Sequence, residues 1–109
     1  MAGTTPERDW KYMKKIKDDL LAGLCSRINK QSSVILGEKG VSEHEKYLKL
    51  YSHVEDSDRI VANCFNDWRR STLFMKILEI KHHGLLTPDQ LEGLSAETLE
   101  KLKALEQNF

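Results

Sequence analysis

The sequence predicts an all-α fold, arranged as a single-domain helical bundle over residues 1–109. Apolar residues recur every three or four positions along most of the chain, the spacing of amphipathic helices. No segment alternates apolar and polar residues between hairpin turns, so we expect no strands. The two prolines, Pro6 and Pro88, each stand between a threonine and an acidic residue, a context typical of helix starts.

The first predicted helix begins after Thr5, which we expect to act as the N-cap, with Pro6 in the first turn. Its apolar face is formed by Trp10, Met13, Ile16, Leu20, Leu24 and Ile28, flanked by Leu21 and Cys25. Gly37 and Gly40 favour a chain reversal after this helix. The sequence therefore predicts a long helix of about 26 residues that ends in a glycine turn.

The second predicted helix begins at Glu43, because Ser42 and Glu45 have the spacing of a capping box. Its apolar residues are Tyr47, Leu48, Leu50, Tyr51 and Val54. The acidic residues from Glu55 onwards then interrupt the apolar pattern, which predicts a joint near residues 55–57. Since no glycine or proline enforces that joint, the alternative is one bent helix over residues 43–83.

The third predicted helix runs from about Asp58 to His83 and ends before Gly84. It is apolar nearly all round over residues 73–80, so it must be covered on more than one side. We expect the bundle to pair the first and third helices as two long antiparallel helices of matching length. The shorter second helix then lies beside this pair.

The C-terminal tail contains two short segments of the same design, in which a hydroxyl residue at the N-cap lies between two leucines. Thr87 and Ser95 are these N-caps, and Thr87 completes a capping box with Gln90. The pattern predicts a one-turn helix over residues 88–92 and a final helix over residues 96–107. We expect this capped tail to fold back over the second half of the third helix and cover Phe74 and Ile77.

Composition and charge narrow the function classes. The chain has 17 basic and 17 acidic residues, so its formal net charge of zero argues against a dedicated polyanion binder. Without a long apolar run or an apolar leader, we expect a cytoplasmic protein that does not enter the membrane. Cys25 and Cys64 lie beside the apolar stripes of their helices, which predicts buried free thiols, although the spacing leaves a disulfide open.

The sequence offers little for catalysis. Glu79 and His82 have the Glu-x-x-His spacing of carboxylate-bridged metal bundles, but the motif occurs only once, so we expect no metal site and no cofactor. The chain lacks a nucleophile elbow, a glycine-rich phosphate loop and a zinc-protease histidine pair. We therefore expect a protein that is not an enzyme.

The polar residues of the third predicted helix suggest a binding site. Asn63, Asn66, Asp67 and Arg70 are spaced to share one helix face, and asparagine and aspartate are poor residues for a helix interior. This face is the predicted protein-binding site. The function that we expect is a protein–protein interaction or regulatory module without catalytic activity, with another protein as partner and a homodimer as one form.

The alternative function is a nucleic-acid-associated regulator. Its basic residues would be Lys11, Lys14, Lys15 and Lys17 of the first helix together with Arg69 and Arg70. Salt separates the two hypotheses, because nucleic-acid affinity falls steeply as ionic strength rises.

Overall fold

The computed structural model describes residues 5–107, and within that range the chain forms helices and turns without a strand. The helices are α1 (Glu7–Leu36), α2 (Glu43–Phe65), α3 (Leu73–His82), α4 (Pro88–Glu92) and α5 (Ala96–Glu106). The predicted all-α class is confirmed. None of the helices in these described residues is long and apolar enough to cross a membrane.

The first two helices form a long antiparallel hairpin. The 30 residues of α1 span about 45 Å at ~1.5 Å per residue, and the molecule is 54 Å long. The Nε2 atom of His53 on α2 lies 3.0 Å from the carbonyl oxygen of Ile28 on α1. Nearer the turn, Lys49 of α2 pairs with Glu38 at 2.7 Å. We call residues 28–54, the turn end of this hairpin, the arm.

The hydrophobic core lies at the opposite end of the hairpin from the turn. Its buried residues come from α1, α2, α3 and the tail: Met13, Leu20, Leu24, Cys64, Phe65, Leu73, Ile77, Ile80, Leu86, Leu94 and Leu102. Arg27 of α1 donates to the carbonyl oxygens of His83 and Gly84, so the end of α3 reaches the middle of α1. The arm extends beyond this point.

The tail has the local structure that its sequence predicts. Thr87 accepts a hydrogen bond from the backbone of Gln90, and the Gln90 side chain accepts one from the backbone of Thr87, which completes the capping box of α4. Ser95 caps α5 by accepting from the backbone of Thr98. The tail contacts α3 through an ion pair between Lys81 and Glu106.

The predicted boundary between the second and third helices is wrong in both of its forms. The chain has neither a joint at residues 55–57 nor one helix over residues 43–83, because α2 continues to Phe65 and residues 66–72 form a turn before α3. Consequently α3 has only 10 residues, and the two long antiparallel helices are α1 and α2.

The break occurs at residues 66–72 because several side chains there stabilise a turn. Asp67 has a φ of 55°, a left-handed conformation that aspartate adopts more readily than most residues. The Thr72 hydroxyl donates to the carbonyl oxygen of Asp67 and accepts from the backbone N–H of Arg69. At residues 55–57, in contrast, Asp56 pairs with Arg59 one turn later and Ser57 is buried, so the helix continues.

Two further predictions near α1 need correction. Thr5 does not cap the helix: Pro6 holds the N-cap position with an extended ψ of 143°, and the Thr5 carbonyl oxygen instead accepts from Arg70. Cys25 is exposed and free, whereas Cys64 is buried and free. The Cys25 side chain lies on the exposed side of α1, so its position beside the apolar stripe does not bury it.

Candidate protein-binding surface

The outer side of α2 carries a cluster of exposed apolar residues on the arm. Tyr47 is 61% exposed, Tyr51 57%, and Leu48 and Val54 49% each. Residues 47, 51 and 54 are one and two helical turns apart, and residue 48 lies beside them, so the four share one side of the helix. We call these four residues the tyrosine face.

Aromatic rings lie in a row along this face. The ring centroids of His44 and Tyr47 are 6.5 Å apart with nearly parallel planes, and those of Tyr47 and Tyr51 are also 6.5 Å apart. Spacings of this size are typical of favourable aromatic pairs. The rings therefore support one another along α2 before any partner binds.

The side of α2 that faces α1 is, in contrast, mostly polar along the arm and in the helical turn that follows it. Only 17% of the Lys46 side chain is exposed, His53 contacts the Ile28 carbonyl, and Ser57 is buried. Leu50 is the half-buried apolar residue in this stretch. Apart from Leu50, the helix thus turns polar groups inwards and large apolar groups outwards over the same turns, the reverse of an amphipathic helix in a finished core.

The sequence contained this surface but not its orientation. The periodicity predicts that one side of the second helix, expected to face the core, is formed by Tyr47, Leu48, Leu50, Tyr51 and Val54. Of these five residues only Leu50 lies on the side that faces α1, at helical spacing with Lys46, His53 and Ser57, and this mixed stripe is the missed signal. α2 therefore has two sets of residues at helical spacing, and the more apolar set lies on the exposed side.

The pair Ser57 and His53 combines a possible nucleophile with a possible base. The Ser57 Oγ lies 3.5 Å from His53 Nδ1, and His53 Nε2 contacts the Ile28 carbonyl oxygen. Because a carbonyl only accepts, Nε2 carries a proton and holds the imidazole against α1. Ser57 is 7% exposed, so a substrate has little access to it, and the pair instead satisfies polar groups between the two helices.

Acidic side chains border the tyrosine face at its C-terminal end. Glu55 lies one turn after Tyr51, and Asp58 lies one turn after Val54. Both are exposed, and neither forms an ion pair with a described residue. Asp56, on another side of the helix, pairs with Arg59 at 2.8 Å.

The structure does not place the four predicted site residues on one helix face. Asn63 lies in the last turns of α2, Asn66 is its C-cap, and Asp67 and Arg70 belong to the turn before α3. Arg69 pairs with Asp67 at 2.6 Å, and this contact holds the pKa of the Asp67 carboxyl below its usual range. Arg70 Nε donates to the Thr5 carbonyl oxygen at 2.7 Å. Two of the four side chains therefore stabilise the turn and its contact with the N-terminal segment.

The basic residues proposed for nucleic-acid binding also have internal contacts. Lys14 and Lys17 lie over the rings of Trp10 and Trp68, 5.1 Å and 4.9 Å from the ring centroids. Lys11 lies 3.7 Å from Glu7 on the same helix. Cation–π contacts of this kind direct the lysine side chains along the protein surface.

An open cleft of about 610 Å³ lies between α3 and the end of α5, lined by Leu78, Glu79, Lys81, His82 and Glu106. It contains the Glu79 and His82 pair of the half-motif. Within the cleft Lys81 pairs with Glu106, and a carboxylate oxygen of Glu79 lies 3.7 Å from the His83 Nε2 atom. Within residues 5–107, no three His, Cys, Asp or Glu side chains are close enough together to hold a metal ion.

Comparison with known proteins gives no match to a family model, to a curated protein or to a solved structure.

Proposed function

We propose that this chain is a small protein–protein interaction or regulatory module that acts by binding and not by catalysis. The observation that carries the proposal is the tyrosine face, four large apolar side chains about half exposed on one side of α2. Contiguous exposed apolar surface marks interaction sites, and tyrosine is among the residues that contribute most to binding energy.

The inverted polarity of the arm supports this proposal. Burying the tyrosine face on folding would have gained roughly 1.5–3 kcal/mol for each large apolar side chain. In this chain about half of that gain is not realised on folding, because the four side chains stay about half exposed while Lys46, Leu50, His53 and Ser57 take the positions that face α1. It is instead available to a partner that covers the outer side of α2.

The proposal includes a cytoplasmic location. Cys25 is an exposed free thiol and Cys64 a buried free thiol, which suits a reducing compartment.

The experiment that tests the proposal compares three forms of the immobilised chain in a lysate of the organism that makes it. The double variant Tyr47→Gln, Tyr51→Gln removes the aromatic rings, and glutamine keeps a good helix propensity. Met75→Gln is the matched control, because Met75 is 56% exposed on α3, away from the arm. Circular dichroism and thermal unfolding establish that both variants fold.

We expect the wild type and Met75→Gln to retain the same host protein, identified by mass spectrometry, and the double variant to lose it. Retention of the same proteins by all three forms would show that the tyrosine face is not the binding site. If raising the salt concentration releases the retained material steeply, and that material is nucleic acid, the alternative of a nucleic-acid-associated regulator replaces the proposal.

A further inference from the structure

We infer that the tyrosine face binds a short basic amphipathic α-helix of another protein. This inference rests on the proposed function and adds the chemistry of the partner. It follows from the shape of the face, the charge around it and the area that it offers.

The shape of the face suits a helix. The four residues of the tyrosine face lie within eight positions of α2, a length of about 12 Å at ~1.5 Å per residue. Helices pack by placing side-chain ridges at spacings of three and four residues into the grooves of a neighbour. A narrow stripe on the outer side of one helix therefore presents a contact line for two or three turns of another helix.

The charge around the face selects basic side chains. Glu55 and Asp58 are exposed at its C-terminal end, without an ion pair to a described residue. The nearby lysines do not offset them, because Lys46 contacts Glu43 and Lys49 contacts Glu38. The tyrosine rings add to this preference, since the face of an aromatic ring attracts lysine and arginine.

The area of the face argues for a short segment and against a second copy of this chain. Four side chains, each about half exposed, offer on the order of 400 Å², whereas a stable interface buries about 800 Å² on each partner. An antiparallel pair of α2 helices would also bring Glu43 and Glu45 of one copy near Glu55 and Asp58 of the other. Like charges placed together disfavour that pairing.

The test uses two synthetic helical peptides of equal length with leucines along one face. The first has lysine and arginine beside the leucines, and the second has glutamate at the same positions. Fluorescence anisotropy with the full chain should give a Kd at least about tenfold lower for the basic peptide, equivalent to about 1.4 kcal/mol. The double variant Tyr47→Gln, Tyr51→Gln should lose binding of the basic peptide.

Charge reversal supplies the decisive comparison. Glu55→Lys with Asp58→Lys should remove the preference for the basic peptide. The control pair Asp19→Lys with Glu100→Lys changes net charge equally at exposed sites on α1 and α5 and should leave the preference in place. Equal affinity for both peptides, no affinity for either, or the same effect of both charge pairs would overturn the inference.

Sedimentation of the wild-type chain alone tests whether a second copy of the chain binds the tyrosine face. We expect a monomer, and a dimer that the tyrosine double variant dissociates would assign the face to self-association instead. If the peptide preference is missing while host-protein capture still needs Tyr47 and Tyr51, the inference fails and the proposed function stands. If capture also becomes independent of these tyrosines, both fail.

Discussion

Asp9, in the first turn of α1, accepts hydrogen bonds from both the backbone N–H and the hydroxyl of Ser95, 86 residues later in the chain. The two distances are 2.8 Å and 2.7 Å, and the Thr98 hydroxyl donates to the same carboxylate. Asp9 is fully buried. The Asp9 carboxylate therefore accepts the hydrogen bonds of residues at the N-terminal end of α5, and it links α1 to the tail.

Asp9→Asn should lower the free energy of unfolding by about 3 kcal/mol. Hydrogen bonds to a charged acceptor contribute roughly 1.5–3 kcal/mol. In the asparagine variant an NH2 group, which only donates, would replace one carboxylate oxygen and would face the hydroxyl donors of Ser95 and Thr98. Urea unfolding followed by circular dichroism measures the loss. Asp19→Asn, at an exposed site on the same helix, should change stability by less than about 0.5 kcal/mol. Equal stabilities of the two variants would show that the buried carboxylate contributes nothing.

Two glycines should respond to alanine in opposite directions. A Cβ at Gly93 would collide with the ring of Tyr12, whose hydroxyl donates to the Gln90 carbonyl oxygen at 3.0 Å. Gly93→Ala should therefore destabilise the fold by about 1–3 kcal/mol. At Gly23, in the middle of α1, a Cβ would meet nothing within 4 Å, so Gly23→Ala should stabilise it by up to about 1 kcal/mol. Thermal unfolding measures the Tm of both variants, and a change of the two Tm values in the same direction would contradict this explanation.

The two cysteines should differ in reactivity towards a thiol reagent. Burial raises the pKa of the Cys64 thiol to about 11, and the carboxylate of Glu79 adds to the rise. At pH 8 a thiol with this pKa is ionised about a hundredfold less often than one at the ordinary value of 9.0, and the thiolate is the reactive form. The folded chain should therefore react quickly at exposed Cys25 alone, which mass spectrometry of the labelled peptide identifies.

Unfolding in guanidinium should make both thiols reactive. The variant Cys25→Ser should leave the native protein almost inert towards the reagent. Fast labelling of Cys64 in that folded variant would mean that α3 does not shield it.

The parts of the fold that the sequence predicted correctly depend on local chemistry. Ser42, Thr87 and Ser95 each accept a hydrogen bond from the backbone N–H three residues later, and the helices begin directly after them. A cap acts within one turn, so its residues reveal it without knowledge of the fold. The glycine turn at residues 37–40 was predictable for the same reason.

The errors arose where helix propensity alone does not decide the outcome. Both the acidic segment at residues 55–57 and the segment at residues 66–72 contain poor helix formers, so propensity does not distinguish them. Burial of Ser57 against α1 keeps the first helical, whereas the Thr72 and Asp67 contacts break the second. The four predicted site residues do not share one helix face, because their predicted alignment assumed helix through that break.

The exposure of the tyrosine face could not be predicted from the sequence for a related reason. Apolar periodicity locates an amphipathic helix, but the partner helix decides which side is covered. On the arm, α1 meets the polar stripe, and His53 bonds to the Ile28 carbonyl where an apolar residue is the usual choice. Only the packing of the two helices shows that the tyrosines lie outside.

Arg70→Ala separates the structural role of this residue from the binding role that its sequence position suggested. Its Nε donates to the Thr5 carbonyl oxygen, so the variant should lower the free energy of unfolding by about 1 kcal/mol. For a chain of this length that change lowers the Tm by about 5 °C. Capture of the host protein should be unchanged, because Arg70 is not part of the tyrosine face.

Arg69→Ala is the matched control for Arg70→Ala. Arg69 is the adjacent residue, but it pairs with Asp67 at the surface, where both side chains are more than half exposed. Exposed ion pairs contribute about 0–1 kcal/mol, so its Tm should move less than that of Arg70→Ala. If Arg70→Ala abolishes capture without lowering the Tm, the turn at residues 66–72 is a binding site after all, and the tyrosine face is not the main one.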